Sequence, residues 1–329
     1  MFHDSAPLRV GLTRSVAESE HLVDAAVVGL DGVKSTFGDV ERLVIPRSAL
    51  KPVQVIPLVS TGAADAFGFS DEEIALSAAS HSAEPMHLER TAAILERIGL
   101  DASALECGAT RPLSEEQQDR VLRSGEPFGR IHNCCSGKHA GFLAIAQHLG
   151  VDPSGYVQPD HPVQQLVTAA IEAFTGFDLG LQSPGVDGCG IPTHAVPLKI
   201  LGLSMARLVS ADGNSMTDTA LVAAANRVVD ALAPNPHWMS GADRAEVLFG
   251  ERANEPLLAK IGAEGVFVAA LPERGLGVAL KARDGARRAA DLAMEAILVD
   301  LGVLTGPAAG STVTNAEGNV VGEMQVIWP

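Results

Sequence analysis

The spacing of hydrophobic and polar residues changes twice along the chain, and the two changes predict its architecture. Residues 8–45 hold short apolar runs typical of strands, and Asp31-Gly32 predicts a hairpin turn between two of them. Between about residues 70 and 250 the apolar positions recur at the three- and four-residue spacing of helices. Strand-like runs return over residues 264–281. The pattern therefore predicts strands near both ends of the chain and helices between them.

Capping residues place the ends of several predicted helices. Ser70 with Glu73, and Ser114 with Gln117, have the spacing of a capping box. Asp284 is expected to cap the last helix. The predicted helices cover residues 53–59, 88–98, 137–149, 160–174, 197–209, 217–233 and 285–301.

This order of elements predicts an α+β protein, in the form of an α/β sandwich. An antiparallel sheet flanked by helices, with strands from both parts of the chain, would join a mainly helical domain. We expect the sheet domain to comprise residues 1–69 and 255–329, and the helical insertion to comprise residues 70–254. We expect the active site at the junction of the two domains, because ligand clefts often form at such junctions.

Composition narrows the class of protein. The chain has 329 residues and a formal net charge of −16, which disfavours binding to nucleic acid or to anionic membranes. No apolar run reaches the roughly 18 residues of a membrane span, and the first five residues do not resemble a signal peptide. We therefore expect a cytoplasmic protein with no membrane or nucleic-acid partner, whose four cysteines are thiols or metal ligands.

Residues 46–52, Pro-Arg-Ser-Ala-Leu-Lys-Pro, contain the first candidate for catalysis. Ser48 and Lys51 are three residues apart, so a helical turn would place them on one face, with the amine in reach of the hydroxyl. Serine-x-x-lysine is the nucleophile arrangement of serine β-lactamases and penicillin-binding proteins. The spacing alone is common, and a solvated first turn is the alternative. Arg47 is either a binder of substrate carboxylate or a surface arginine.

A second serine and lysine are candidates for proton transfer. Lys260 precedes a predicted strand in a lysine-x-glycine triplet, and Ser80 lies among small residues typical of a tightly packed loop. We predict that Ser80 and Lys260 form a pair. His81, Glu84 and His87 are spaced like metal ligands, but Pro85 should break the helix that would align them. Tyr156, in a loop-like segment, is not expected to enter the site.

Residues 133–139 and 186–192 form the other chemically distinctive pair of segments. Cys135, Lys138 and His139 would share a helix face, and a glycine-rich turn would expose Asp187 and Cys189. Thiolates from two loops, together with a neutral amine, could hold Zn²⁺. The alternative is a pair of reduced structural thiols near one cleft.

Five segments together resemble the rhizobial-type L-asparaginase family. The resemblance runs from about residue 8 to the C-terminus, and the Cys-Ser-Gly-Lys-His and Asp-Gly-Cys-Gly segments are its most specific parts. It implies a fold similar to serine β-lactamases and glutaminases, a homodimer, and a metal site of two cysteines and a lysine. The segments are Pro-Arg-Ser-Ala-Leu-Lys-Pro (46–52), Ser-His-Ser-Ala-Glu-Pro-Met-His (80–87), Asn-Cys-Cys-Ser-Gly-Lys-His-Ala-Gly (133–141), Val-Asp-Gly-Cys-Gly-Ile-Pro (186–192) and Lys-Ile-Gly-Ala-Glu-Gly-Val (260–266).

The resemblance implies an L-asparagine amidohydrolase that forms an acyl-enzyme. The expected roles are catalysis by Ser48, Lys51, Ser80 and Lys260, substrate binding by Arg47, His139 and Asp187, and one Zn²⁺ on Cys135, Lys138 and Cys189. A glutaminase or another serine-x-x-lysine amidohydrolase is one alternative. A non-enzymatic zinc or thiol sensor, built on Cys134, Cys135 and Cys189, is the other.

Overall fold

The computed structural model of the protein describes residues 6–180, 183–211, 218–306 and 312–329. The first five residues and the predicted helix start at Thr217 lie outside the described residues. The chain divides into a sheet unit, formed by Met1–Ala49, Ala195–Ser210 and Leu248–Pro329, and a helical unit, formed by Leu50–His194 and Ala211–Val247.

The strands in chain order are β1 (Leu8–Thr13), β2 (Ala17–Gly29), β3 (Gly32–Phe37), β4 (Leu43–Val44), β5 (Gly185–Val186), β6 (Pro192–Thr193), β7 (Val196–Pro197), β8 (Leu258–Ile261), β9 (Val266–Leu271), β10 (Leu276–Ala282), β11 (Thr312–Thr314) and β12 (Val320–Ile327). The α-helices are α1 (Lys51–Gln54), α2 (Ile56–Ser60), α3 (Ala63–Ala66), α4 (Asp71–Ser77), α5 (Pro85–Arg97), α6 (Glu115–Ser124), α7 (Ser136–Leu149), α8 (Pro162–Thr175), α9 (Leu198–Val209), α10 (Thr219–Leu232), α11 (Pro236–Met239), α12 (Ala245–Arg252) and α13 (Arg287–Asp300).

The sheet unit is built on an antiparallel sheet in the order β11-β12-β1-β2-β10-β9-β8, with β3 paired to β2. Strands β2 and β3 meet at the predicted Asp31-Gly32 turn, and β9 and β10 form the predicted returning pair. The sequence pattern did not indicate β8, β11 or β12. β8 pairs with β9 and β11 with β12, whereas β12 also pairs with β1 from the other end of the chain. The α+β class is confirmed.

Helices cover the central strands of this sheet. Helix α9 packs against β2, β9 and β10, and α13 packs against β1, β2, β9, β10 and β12. Gly277 on β10 permits the approach of α9, because a Cβ there would overlap the carbonyl oxygen of Gly202 and the amide of Ala206. This packing explains why residues 195–210 belong to the sheet unit. They were expected in the helical insertion, whereas residues 50–69, expected with the sheet, belong to the helical unit.

Helix α7 is the centre of the helical unit. It is buried from Ser136 to Ala146 and packs against α2, α3, α4, α5 and α8. A helix that is buried all round is normally apolar, yet α7 carries Lys138 and His139 in its buried part. Ser70 and Glu73 form the predicted capping box at α4. Helix α13 begins at Arg287, and Asp284 does not cap it but accepts the amide of Ala286 and meets His21 Nδ1 at 2.5 Å. Among the described residues, no helix has both the length and the apolar character needed to cross a bilayer.

Candidate active site

Ser48 lies in a single 3₁₀ turn, Arg47–Leu50, that follows strand β4. The amide of Ala49 donates to the carbonyl of Pro46 at 3.1 Å. Arg47 has a φ of 53°, a left-handed conformation that costs a non-glycine residue on the order of 1–3 kcal/mol. Such strain persists only where the surrounding structure enforces it, and it clusters at functional sites. The turn that carries Ser48 is therefore held in a defined and strained conformation.

Lys260 belongs to the same unit. It precedes strand β9, as the sequence predicted, and itself lies within β8, which the sequence did not indicate. Its side chain is completely buried, and Nζ donates to the carbonyl of Ile261 at 3.2 Å. Gly262 ends the strand. A Cβ at Gly262 would lie 2.5 Å from the oxygen of Pro46 and 3.3 Å from the nitrogen of Ala49, so glycine is needed for this approach. The end of β8 therefore packs against the turn that carries the candidate nucleophile.

Lys51 begins α1 in the helical unit, and its side chain is completely buried. Its Nζ donates to the carbonyl of Ala79, to Ser80 Oγ at 2.9 Å and to Cys135 Sγ at 3.1 Å. A buried amine needs such partners, because the loss of hydration is costly. These partners are a carbonyl, a hydroxyl and a sulfur, and none is a carboxylate. The sequence paired Ser80 with Lys260, and the structure brings its hydroxyl to Lys51.

The loop that carries Ser80 is buried and fixed from two sides, as its small residues predicted. The amide of Ser80 donates to the carbonyl of Met239 at 2.9 Å, and the amide of His81 donates to the carbonyl of Cys134 at 3.0 Å. His81 Nε2 lies 2.8 Å from Ser136 Oγ, which itself donates to a backbone carbonyl, so the histidine is the donor. Sequence reasoning missed this link between the loop and α7.

His81, Glu84 and His87 do not form a metal site. The His81 and His87 rings stack 5.2 Å apart, and His87 accepts the Glu84 amide at 3.2 Å while donating to the carbonyl of His237 at 3.0 Å. The Glu84 carboxylate meets His237 Nε2 at 2.8 Å. Across residues 6–180, 183–211, 218–306 and 312–329, no group of three His, Cys, Asp or Glu side chains could hold a metal ion. Pro85 starts α5, which is why the three residues are not aligned on one helix.

Cysteine and lysine side chains form a buried cluster in the helical unit. Cys135 Sγ lies 3.8 Å from Cys134 Sγ, and Lys138 Nζ donates to Cys189 Sγ at 3.2 Å. Hydrogen bonds from Cys134 and Cys189, and then the positive charges of Lys51 and Lys138, hold the pKa of Cys135 well below its usual range despite burial. The pKa values of Cys134 and Cys189 are raised, because each thiol donates to Cys135 and is buried. Cys135 is therefore the most acidic thiol of the cluster.

The three residues predicted to hold zinc all belong to this cluster. Cys135, Lys138 and Cys189 supply two sulfurs and one nitrogen, a soft set of donors that suits Zn²⁺. Burial by itself would lower the pKa of Lys138, but the sulfurs of Cys189 and Cys135 raise it above its usual value. A metal would therefore have to displace the proton of this amine. The donor set fits zinc in chemical type, and zinc binding stays a prediction.

His139 lies on α7 beside Lys138 and is completely buried. Its Nδ1 lies 2.6 Å from the Oη of Tyr156, and its Nε2 is buried with no hydrogen-bond partner in the described part of the chain. Burial lowers the pKa of His139 well below its usual value, and the charge of Lys138 adds to this effect. Tyr156 was expected outside the site, but its side chain packs against a predicted substrate-binding residue.

Asp187 lies at the end of β5, in a turn that also positions Cys189. Its amide donates to the carbonyl of Ile191 at 2.9 Å, and its own carbonyl accepts the amide of Gly190 at 2.8 Å. Asp187 is half-buried, whereas Cys189 is buried, so the turn exposes the carboxylate but not the thiol. The negative charge of Asp187 contributes to the raised pKa of Lys138, after burial and the two sulfurs.

The predicted site residues are divided between the two units. Arg47, Ser48 and Lys260 belong to the sheet unit. Lys51, Ser80, Cys135, Lys138, His139, Asp187 and Cys189 belong to the helical unit. The division falls between Ala49 and Leu50, so the pairing of Ser48 with Lys51 stays a prediction from their spacing in the sequence.

Several solved structures are similar to this chain at low sequence identity. The native form of Mglu in NaCl is 14% identical with a TM-score of 0.42, covering 91% of this chain and 66% of that chain, so this chain spans less than two thirds of it. A β-lactamase from Mycobacterium bovis is 16% identical with a TM-score of 0.40, and the match covers 86% of this chain and 95% of that chain. A probable glutaminase from Bacillus subtilis, complexed with 6-diazo-5-oxo-L-norleucine, is 13% identical with a TM-score of 0.40. The match covers 86% of this chain and 85% of that chain.

No curated protein matches this chain. The model of one protein family, L-asparaginase II, matches residues 10–326, which is nearly the whole chain and includes every predicted site residue. The match confirms the resemblance that the five segments carried. The chain belongs to the L-asparaginase II family of amidohydrolases.

Proposed function

We propose that this protein hydrolyses L-asparagine to L-aspartate and ammonia. The observation that carries the proposal is the buried contact between Lys51 Nζ and Ser80 Oγ, at 2.9 Å, in a member of the L-asparaginase II family. An amine buried beside a hydroxyl suits proton transfer to or from serine, and the other described partners of this amine are the Ala79 carbonyl and Cys135 Sγ.

The proposed mechanism starts with attack of Ser48 Oγ on the side-chain amide carbon of the substrate. Lys51 takes the hydroxyl proton, and the new C–O bond gives a tetrahedral intermediate whose oxyanion accepts from the Ser48 amide. One such donor contributes roughly 3–4 kcal/mol. Ser80 and Lys260 relay a proton to the leaving nitrogen, the C–N bond breaks, and water then hydrolyses the acyl-enzyme. The contact of Ser80 with Lys51 supports Ser80 as the first group of this relay.

The charged ends of the substrate are assigned by charge complementarity. Arg47 would bind the α-carboxylate, since a guanidinium and a carboxylate form two parallel hydrogen bonds. Asp187, half-exposed in its turn, would bind the α-ammonium. His139 would contribute a further polar contact from the helical unit.

A panel of amides tests the substrate. We expect ammonia release from L-asparagine to exceed that from L-glutamine by roughly 100-fold in kcat/KM, because one extra methylene displaces the amide carbon by about 1 Å while the α-groups stay anchored. D-asparagine and a β-lactam complete the panel. Equal kcat/KM for the two L-amino acids would reassign the protein as a glutaminase-asparaginase. Ser48→Ala should abolish the turnover of an amidase. A zinc or thiol response that persists in this variant, without the loss of turnover expected of an amidase, would favour a sensor.

We also propose that Cys135, Lys138 and Cys189 hold one Zn²⁺ per chain, with water as the fourth ligand. The ion would supply positive charge that orients the substrate. Elemental analysis of protein purified without chelators should find one equivalent of zinc, and Cys189→Ser should lose it. Cys107→Ser is the matched control, because burial raises the pKa of this thiol to about 12 and it donates to the carbonyl of Arg130. Zinc-free wild-type protein would leave the cysteines as structural thiols.

The family resemblance further implies a homodimer, and the composition a cytoplasmic location. Both remain proposals. Sedimentation velocity at micromolar concentration distinguishes a dimer from a 34.1 kDa monomer.

A further inference from the structure

Tyr156 is the only tyrosine of the chain, and its side chain is completely buried. Its Oη accepts the amide proton of Glu106 at 2.8 Å and lies 2.6 Å from His139 Nδ1. These are the hydrogen bonds of the hydroxyl within the described residues. If the imidazole donated to Oη, the buried phenol proton would have no acceptor, which is costly. The hydroxyl therefore donates to Nδ1.

This hydrogen bond selects one tautomer of His139. Nδ1 is an acceptor, so the ring proton of the neutral imidazole resides on Nε2. An imidazole that accepts at Nδ1 carries a single ring proton, so the ring is neutral. The Nε2–H group is buried and has no partner among the described residues. Buried polar groups are nearly always hydrogen-bonded, so an unsatisfied donor indicates a place for a ligand atom.

The surroundings of the ring indicate the charge of that ligand atom. Lys138 is the neighbour of His139 on α7, and the positive charges of Lys138 and Lys51 act on the imidazole against the single negative charge of Cys135. The ring centroids of Phe142 and Tyr156 lie 5.9 and 5.4 Å from the centroid of the imidazole, and the Tyr156 ring meets it edge to face. A neutral Nε2–H group can donate a hydrogen bond but has no lone pair for a cation. Near two amines and one acidic thiol, this buried donor suits an anionic oxygen.

We propose that Tyr156 is a positioning residue that makes His139 a hydrogen-bond donor to the α-carboxylate of the substrate. The inference deepens the proposed function and rests on it. In the other tautomer, the Nε2 lone pair would face the carboxylate and repel it. Tyr156 therefore acts on substrate selection through the histidine, without touching the reacting atoms.

The first experiment reads the tautomer directly. ¹⁵N-histidine-labelled full-length protein is studied by NMR, with His139→Gln to assign the resonances. We expect His139 of the wild type to be neutral with the proton on Nε2, and Tyr156→Phe to populate the Nδ1–H form. A wild-type ring protonated on Nδ1 would overturn the proposal even if Tyr156→Phe failed to fold.

The second experiment separates positioning from stability. Binding of L-asparagine and of 3-aminopropanamide, which lacks the α-carboxylate, is measured by calorimetry in the Ser48→Ala background. We expect Tyr156→Phe to weaken L-asparagine about 10-fold, as for loss of a hydrogen bond to a charged group, and to leave 3-aminopropanamide within about twofold. Equal weakening of both ligands would mean a structural role and would refute the proposal.

Gln164→Met is the matched control. Gln164 Nε2 donates to the backbone carbonyl of Tyr156 at 2.9 Å, so this variant disturbs the same segment but not the phenol. It should lower stability while preserving the tautomer and the preference for L-asparagine. A wild type that does not hydrolyse L-asparagine would defeat the proposed function. An active wild type with unchanged ligand preference in Tyr156→Phe would defeat this inference alone.

Discussion

Each of the two units buries a charged cluster, and the clusters differ in how their charges are satisfied. In the sheet unit, the completely buried carboxylate of Asp24 accepts from Arg42 at 3.0 Å, from Arg283 at 2.6 Å and from the amide of Asp39 at 3.0 Å. Opposite charges and a backbone donor surround this carboxylate. The cluster ties β2 to residues that follow β3 and β10.

In the cluster of the helical unit, the described hydrogen-bond partners of Lys51 include no carboxylate, and the charge of Asp187 acts on Lys138. The amines of Lys51 and Lys138 meet sulfur, hydroxyl and carbonyl groups instead. One thiol of the cluster, Cys135, has a pKa held well below its usual range, and His139 keeps an unsatisfied donor. A set of buried groups with perturbed pKa values and spare hydrogen-bonding capacity is typical of functional sites. Burial of charge therefore does not by itself indicate a functional site, whereas buried groups with unsatisfied hydrogen-bonding capacity do.

Substitution in the helical cluster should abolish turnover in protein that still folds. Lys51→Met removes the proposed base, so we expect kcat to fall by about 10⁴-fold or more, since catalytic groups act as a unit. Methionine has a similar volume but leaves Cys135, Ser80 and the Ala79 carbonyl without their donor, so we also expect the free energy of unfolding to fall by about 1–3 kcal/mol. Ammonia release and thermal denaturation are the measurements, with the exposed Lys34→Met as control. Turnover within tenfold of the wild type would contradict the proposed role.

Substitution in the sheet cluster should lower the stability of the protein and leave the turnover of the folded fraction nearly unchanged. Asp24→Asn leaves two arginines without their carboxylate, and we expect the free energy of unfolding to fall by about 3 kcal/mol. The kcat/KM of the folded fraction should stay within about twofold. Urea denaturation followed by circular dichroism gives the stability. Asp31→Asn, in the exposed pair with Lys34, is the control and should cost less than about 1 kcal/mol. Lost turnover at unchanged stability would reverse the comparison.

The buried histidines of the helical unit make its stability pH-dependent. Burial lowers the pKa values of His81, His87 and His139, so the folded state resists their protonation. Below the unfolded pKa of about 6.5 the unfolded chain binds protons that the folded chain does not, so stability is full above that pH and falls as the pH decreases. The slope should reach up to about 1.4 kcal/mol per pH unit for each histidine.

Urea denaturation at pH 7.5, 6.5 and 5.5 measures this slope. His87→Gln should flatten it, because His87 is completely buried and no longer titrates in the variant. A free energy of unfolding that is constant from pH 7.5 to 5.5 would contradict the assignment of these rings as neutral.

Local signals in the sequence predicted much of the fold. The Asp31-Gly32 hairpin and the Ser70 capping box involve residues within a few positions of each other, so their physics is contained in a short segment. Strands β8 and β11 were missed because each is short and is completed by hydrogen bonds to the next strand, and β12 because its polar sequence pairs with the distant β1. A short apolar or polar run does not indicate by itself whether such a neighbour exists.

The sequence by itself determined the chemical groups of this protein and the family to which they belong. It supplied the serine-x-x-lysine spacing and the cysteine, lysine and histidine segments that carry the resemblance to the family, and the family match confirms that resemblance. Only the tertiary structure decided that Lys51 meets Ser80 and Cys135, and that Tyr156 is buried against His139. Lys51 lies far along the chain from both Ser80 and Cys135, whereas Tyr156 and His139 are 17 residues apart. Which of these side chains meet depends on which elements pack together. The physical reason is that burial and hydrogen-bond partners are properties of packing, which a single segment does not contain.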